Sequence, residues 1–73
     1  MSGFSSRVKE LRLSKGLTQK QAAEHFEVGL RHWQKYEAGE FYPTAEGLIA
    51  LADYFDVSLD YLVGRSDDPR RRP

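Results

Sequence analysis

Arg31, Gln34 and Lys35 lie close together between two glycines, Gly29 and Gly39. The segment from Leu30 to Ala38 fits a short helix. Set about 100° apart per residue with Trp33 inward, Tyr36 and Glu37 fall on the inner half. Arg31 and Lys35 then point the opposite way, with His32 and Gln34 on the flanks and Leu30 opening the helix. Such a face could read base edges. A guanidinium bridges O6 and N7 of guanine, a carboxamide pairs with adenine, and leucine touches a thymine methyl. Arg31 and Lys35 are therefore candidate base readers, assisted by Leu30, His32 and Gln34, with Gly29 at the helix entrance. On an unrelated surface helix, the same side chains would simply be solvated.

A reading helix needs a partner that holds its angle. Thr18 and Gln21 form a T-x-x-Q capping box, which predicts a helix start. Ala22, Ala23 and Phe26 make its buried side, and the paired alanines allow another helix to approach closely. The amides at Thr18 and Gln19 carry the positive end of the helix dipole, which suits a phosphate. Thr18 also serves as the cap. Glu27-Val28-Gly29 is the turn between the two helices.

The flanking segments supply the packing. Phe4, Val8, Leu11 and Lys15 keep helical spacing, with Ser5 or Ser6 as N-cap and Gly16 as the stop. Leu17 follows the stop and covers the helix end. Glu40-Phe41-Tyr42-Pro43 reads as a loop, and Tyr42 joins the candidate contacts. Thr44 caps a fourth helix with an apolar face of Leu48, Ile49, Leu51, Ala52 and Phe55. Ser58 caps a fifth, from Leu59 to Val63, ended by Gly64. No alternating run or hairpin dipeptide marks a strand. The expected fold is all-α, five helices in one domain over residues 5–64. Residues 65–73, including Arg70, Arg71 and Arg72, have no apolar residue and are expected to form a flexible polar tail.

Composition narrows the function. A chain of 73 residues is one domain and buries only about 60% of its unfolded surface. It has no cysteine, so neither disulfides nor a cysteine zinc site is available. His25 and His32 fall on different helices and make no metal set, and no cofactor is expected. No nucleophile–base–acid set or Gly-rich phosphate loop occurs, and Asp53, Asp56 and Asp60 read as a solvated acidic face, so an enzyme is not expected. No apolar run reaches membrane length and no apolar signal core follows Met1, which points to a cytoplasmic protein. Net charge is zero but polarised. Residues 1–36 carry seven basic side chains against three acids, whereas residues 37–68 carry eight acids and only Arg65. A basic half of this kind could meet phosphate.

Together these residues resemble the phage-repressor and Cro-like (XRE-type) helix-turn-helix family. The matching elements are R-x-x-x-G-L-T-Q from Arg12 to Gln19, Ala22-Ala23, Lys35-Tyr36-Glu37-x-Gly39, Pro43-Thr44, and LIALADYFDVSLDYLVGRSDDP from Leu48 to Pro69. The resemblance covers residues 5–69. It implies a compact lambda-repressor-like domain in which helices two and three read double-stranded DNA. It also implies that Gln19 contacts the DNA backbone and orients the reading helix. Arg12 and Glu37 match a family ion pair tying helix one to the end of helix three, with Arg12 also offered to phosphate. The sequence departs from the family at Glu27, where glycine is usual, at Gly29, where Ser or Thr caps, and at Glu40-Phe41-Tyr42, where the loop is often basic.

Family members are mostly bacterial or phage regulators that bind operators as dimers. The resemblance implies a transcriptional repressor acting as a homodimer on a palindromic operator. Phe55, Leu59, Tyr61 and Leu62 are the expected interface, because the last two helices carry more apolar surface than a small core can hide. The alternative is a protein-interaction module, an antitoxin-type or antirepressor-partner protein that kept the fold but binds DNA weakly.

Overall fold

The computed structural model describes residues 3–71, so Arg72 and Pro73 of the tail lie outside the described residues. The helices are α1 (Phe4–Ser14), α2 (Gln19–His25), α3 (Leu30–Ala38), α4 (Ala45–Phe55) and α5 (Leu59–Leu62). There is no strand among the described residues.

Side-chain caps start α2, α4 and α5, whereas α1 and α3 start without one. The Thr18 Oγ1 accepts from the Gln21 amide at 3.0 Å, and the Gln21 side chain accepts the Thr18 amide at 2.9 Å, so the capping box is complete. Thr44 Oγ1 and Ser58 Oγ accept from the amides of Gly47 and Tyr61 and start α4 and α5. α1 does not start at Ser5 or Ser6. Its N-cap is Gly3, which makes no side-chain cap bond. The reason is Phe4: inside the helix it shares a stripe with Val8, and both are buried.

Helix ends need the left-handed backbone. Gly16 and Gly39 supply it after α1 and α3, and Glu27 supplies it in the turn after α2 at φ 58°. That conformation lets the Val28 amide reach the Ala23 carbonyl at 2.9 Å, closing the turn.

The core gathers Phe4 and Val8 of α1, Ala22 and Ala23 of α2, Trp33 and Tyr36 of α3, and Leu51, Ala52 and Phe55 of α4. Val57 and Leu62 complete it. Phe26 stacks on Trp33 with centroids 5.6 Å apart and planes 9° apart. Burying side chains of this size contributes roughly 1.5–3 kcal/mol each. The apolar face of α4 is narrower than its sequence suggests: Ile49 points outward and remains 47% exposed. Two expected interface residues belong to the core instead. Leu62 is fully buried and Phe55 nearly so. The chain is small enough to need both side chains inside, so neither is open to a partner in this conformation.

Residues 65–71 hold no helix but run back along the domain through polar bonds. The Pro69 carbonyl accepts the Ser58 amide at 3.0 Å, and Arg71 reaches Asp53 at 2.6 Å. A lack of apolar residues predicts a free tail here. The stretch is attached all the same, through polar groups.

Candidate nucleic-acid interface

Helix α3 presents the candidate face as its wheel suggests. Trp33 and Tyr36 are buried, whereas Leu30, Arg31, His32 and Gln34 are exposed. Arg31 forms no hydrogen bond or ion pair among the described residues, which leaves its guanidinium uncommitted. Gly29 enters α3 in an extended conformation and caps it without a side chain. Lys35 is only half-exposed, because its Nζ lies 4.7 Å above the Phe41 ring. His32 lies on the flank, against Tyr36 and Phe41. Its Nε2 lies 3.1 Å from the Tyr36 hydroxyl, and its ring 5.2 Å from Phe41. Burial pushes the Tyr36 phenol pKa up, so the hydroxyl stays protonated. Phe41 thus braces the flank of α3 in the loop where the family often carries a cation. Tyr42, 70% exposed, lies beside it with its ring against Phe4.

One carboxylate ties this face to the rest of the domain. Glu37 Oε2 accepts from Arg12 Nε and from Trp33 Nε1, each at 2.6 Å. Glu37 Oε1 accepts from Arg12 Nη2 at 3.2 Å and from Gln19 Nε2 at 3.0 Å. The Arg12 and Glu37 side chains are only 9% and 5% exposed. Burial alone would raise the Glu37 pKa. The bonds from Arg12, Gln19 and Trp33, with the charge of Arg12, outweigh burial and hold it below the ordinary carboxylate value. The pair therefore locks α1 to α3 and draws the first residue of α2 into the same knot.

This geometry corrects the role offered to Arg12. Its third nitrogen, Nη1, donates to the Leu17 carbonyl at 2.8 Å, so every nitrogen of the guanidinium has an internal partner. The remaining N–H groups are buried along with these, so Arg12 is turned to the domain interior rather than offered to phosphate. Thr18 Oγ1 accepts the cap bond and the Thr18 amide donates to Gln21, while the exposed hydroxyl keeps its own O–H donor. Gln19 is half-exposed at the start of α2 and abuts α3 through Gln34 Nε2, 3.4 Å from its Oε1.

Arg7 belongs to the basic half by sequence, yet it is buried. Its Nη1 donates to the carbonyls of Tyr61 and Ser66 at 3.0 and 3.1 Å, and its Nη2 to Asp67 at 2.7 Å. The guanidinium also sits 3.8 Å over the Tyr61 ring. A sign is present in the sequence, since Arg7 lies three residues after Phe4 and next to Val8, on the apolar stripe. With Arg7 and Arg12 turned inward, the exposed cations of the first half are Lys9, Lys15, Lys20 and Arg31.

The last helix offers less apolar surface than expected. Tyr61 is half-buried beneath Arg7, and Leu59 is 44% exposed. Leu59, Ile49 and Val57 line one open groove, edged by Asp53 and Asp60.

Residues 8–62, which contain α2, the turn and α3, match the helix-turn-helix family. The chain belongs to that family. Among helix-turn-helix relatives, it is 44% identical over 48 residues to the cryptic phage CTXphi transcriptional repressor RstR of Vibrio cholerae, covering 66% of this chain and 43% of the relative. It is 38% identical over 64 residues to the HTH-type transcriptional regulator ImmR of Bacillus subtilis, covering 88% and 50% respectively. The crystal structure of a transcriptional regulator from Listeria innocua superposes with a TM-score of 0.79 at 41% identity, over 84% of this chain and 57% of that one. The chain thus spans about half the length of the relatives it matches. No helix among the described residues is long and apolar enough to cross a membrane.

Proposed function

We propose that this helix-turn-helix chain is a sequence-specific DNA-binding transcriptional regulator that reads the major groove with α3. The observation that carries the reading is the uncommitted Arg31 on the outer face of a helix locked through Glu37 to α1 and α2. Arg31 and Gln34 contact bases, Lys35 and Leu30 assist, and Gln19 and Tyr42 meet the backbone. Phosphate contacts set the register, and base contacts specify the site.

The proposal includes a homodimer on a palindromic operator, with repression by occupancy. Ile49 and Leu59 supply its apolar contact, now without Phe55 and Leu62. A two-fold dimer places its reading helices about 34–36 Å apart, one duplex turn. Relatives named as a regulator and as a phage repressor support the regulatory part of this reading.

The test is selection of bound sequences from a random duplex library, with affinity titrated against salt. The expected result is a discrete two-fold symmetric motif whose affinity falls steeply as salt rises. Weak binding without an enriched motif would overturn the reading in favour of a protein-interaction module.

A further inference from the structure

An ionised carboxylate only accepts hydrogen bonds. Gln19 therefore has one permitted orientation beside Glu37: its nitrogen turns in to Oε1 at 3.0 Å, and its oxygen turns out. That oxygen lies against α3, where Gln34 Nε2 approaches to 3.4 Å. The reversed Gln34 amide would set two carbonyl oxygens against each other. One buried charge thus dictates the direction of two successive amides, the second of them exposed on the candidate reading face.

What Gln34 retains follows from this order. One of its N–H groups is spent on Gln19. Its Oε1 and its second N–H remain, an acceptor beside a donor. Adenine presents the complement in the major groove, with the N6 amine as donor and N7 as acceptor. Guanine offers two acceptors, O6 and N7, and repels the Gln34 oxygen.

We infer that Glu37, acting through Gln19, is a positioning residue that locks the Gln34 amide in the orientation that reads adenine. The inference rests on the proposed DNA-binding function. It adds a determinant of specificity that touches no base itself, since Glu37 is buried behind Gln19.

Gln19→Met tests it. The substitution keeps the length of the side chain and leaves the Arg12 and Trp33 bonds to Glu37 in place, but it cuts the relay. Base preference is measured at every position of the selected operator for the wild type, Gln19→Met and Gln34→Ala. Gln34→Ala identifies the position by abolishing an adenine preference of about tenfold there. In Gln19→Met that preference falls to about twofold while the preferences elsewhere persist. Overall affinity drops in either case, so the discriminating quantity is the ratio between bases. A uniform loss of affinity with the adenine preference intact would overturn the inference and make Gln19 a backbone contact alone. A Gln34→Ala profile identical to wild type would also overturn it. Failure of the wild type to select any motif is a different result, which removes the proposed function itself.

Discussion

The indole N–H of Trp33 donates to Glu37 Oε2 at 2.6 Å, one turn further along α3. Trp33 is the largest fully buried side chain, and a buried indole N–H needs an acceptor. The acceptor it finds is the carboxylate that also receives Arg12 and Gln19. The hydrophobic core and the outer face of α3 are thereby joined through one charge.

Arg12→Met is expected to destabilise the domain by about 3–5 kcal/mol, because it strands a buried carboxylate. For a chain of this size that is a large share of the roughly 5–15 kcal/mol typical of a fold. Glu37→Gln, which keeps an acceptor for Trp33, is expected to cost less than Arg12→Met. Urea unfolding of both variants ranks them, and an Arg12→Met midpoint equal to wild type would refute the structural role.

Acid should act through the same group. The folded pKa of Glu37 lies below the ordinary value of 4.5, despite the opposing effect of burial. A depressed carboxylate contributes its full stability above the unfolded pKa and loses it as pH falls through the folded one. Unfolding midpoints are therefore flat above pH 4.5 as far as Glu37 is concerned and decline below it. In Glu37→Gln this part of the decline disappears, which parallel urea titrations at each pH detect.

Arg31→Ala should weaken operator binding by about 1–3 kcal/mol and relax preference at one base position. Its exposure and lack of internal partners mean that stability stays near wild type. Fluorescence anisotropy with singly substituted duplexes reads both effects. Unchanged affinity would remove Arg31 from the interface.

Glu27 holds φ 58° without being glycine. The left-handed conformation costs an L-residue roughly 1–2 kcal/mol, whereas glycine adds about 0.5–1 kcal/mol of entropy cost on folding. The strain exceeds the entropy cost, so Glu27→Gly should stabilise by about 0.5–1 kcal/mol. A lower melting temperature in the variant would contradict that balance.

Local signals in the sequence carry much of the fold. The Thr18–Gln21 box, the Thr44 and Ser58 caps and the stops at Gly16 and Gly39 depend on neighbours a few residues away, and they are where spacing puts them. The Arg12–Glu37 contact is legible only through family resemblance. What is not legible depends on side chains distant in the chain. Nothing near Arg7 announces that residues 61–67 will consume its donors, and nothing near Leu62 distinguishes a core residue from an interface residue. The wheel puts Lys35 outward, but it cannot include Phe41, which lies beyond the helix and holds its ring against the Lys35 ammonium, leaving the side chain half-exposed.

The Arg7 contacts also bear on the order of folding. They join residues 54, 59 and 60 positions apart, close to the full length of the chain. Closing so long a loop costs more entropy than making the turn between α2 and α3, so the clasp should form after the transition state. In Arg7→Met the unfolding rate rises while the refolding rate stays near wild type, and a chevron plot separates the two. Equal slowing of refolding would place α1 and the last turn in the nucleus instead. On the expected result, Arg7 governs how long the native state lasts once formed rather than how quickly it is reached.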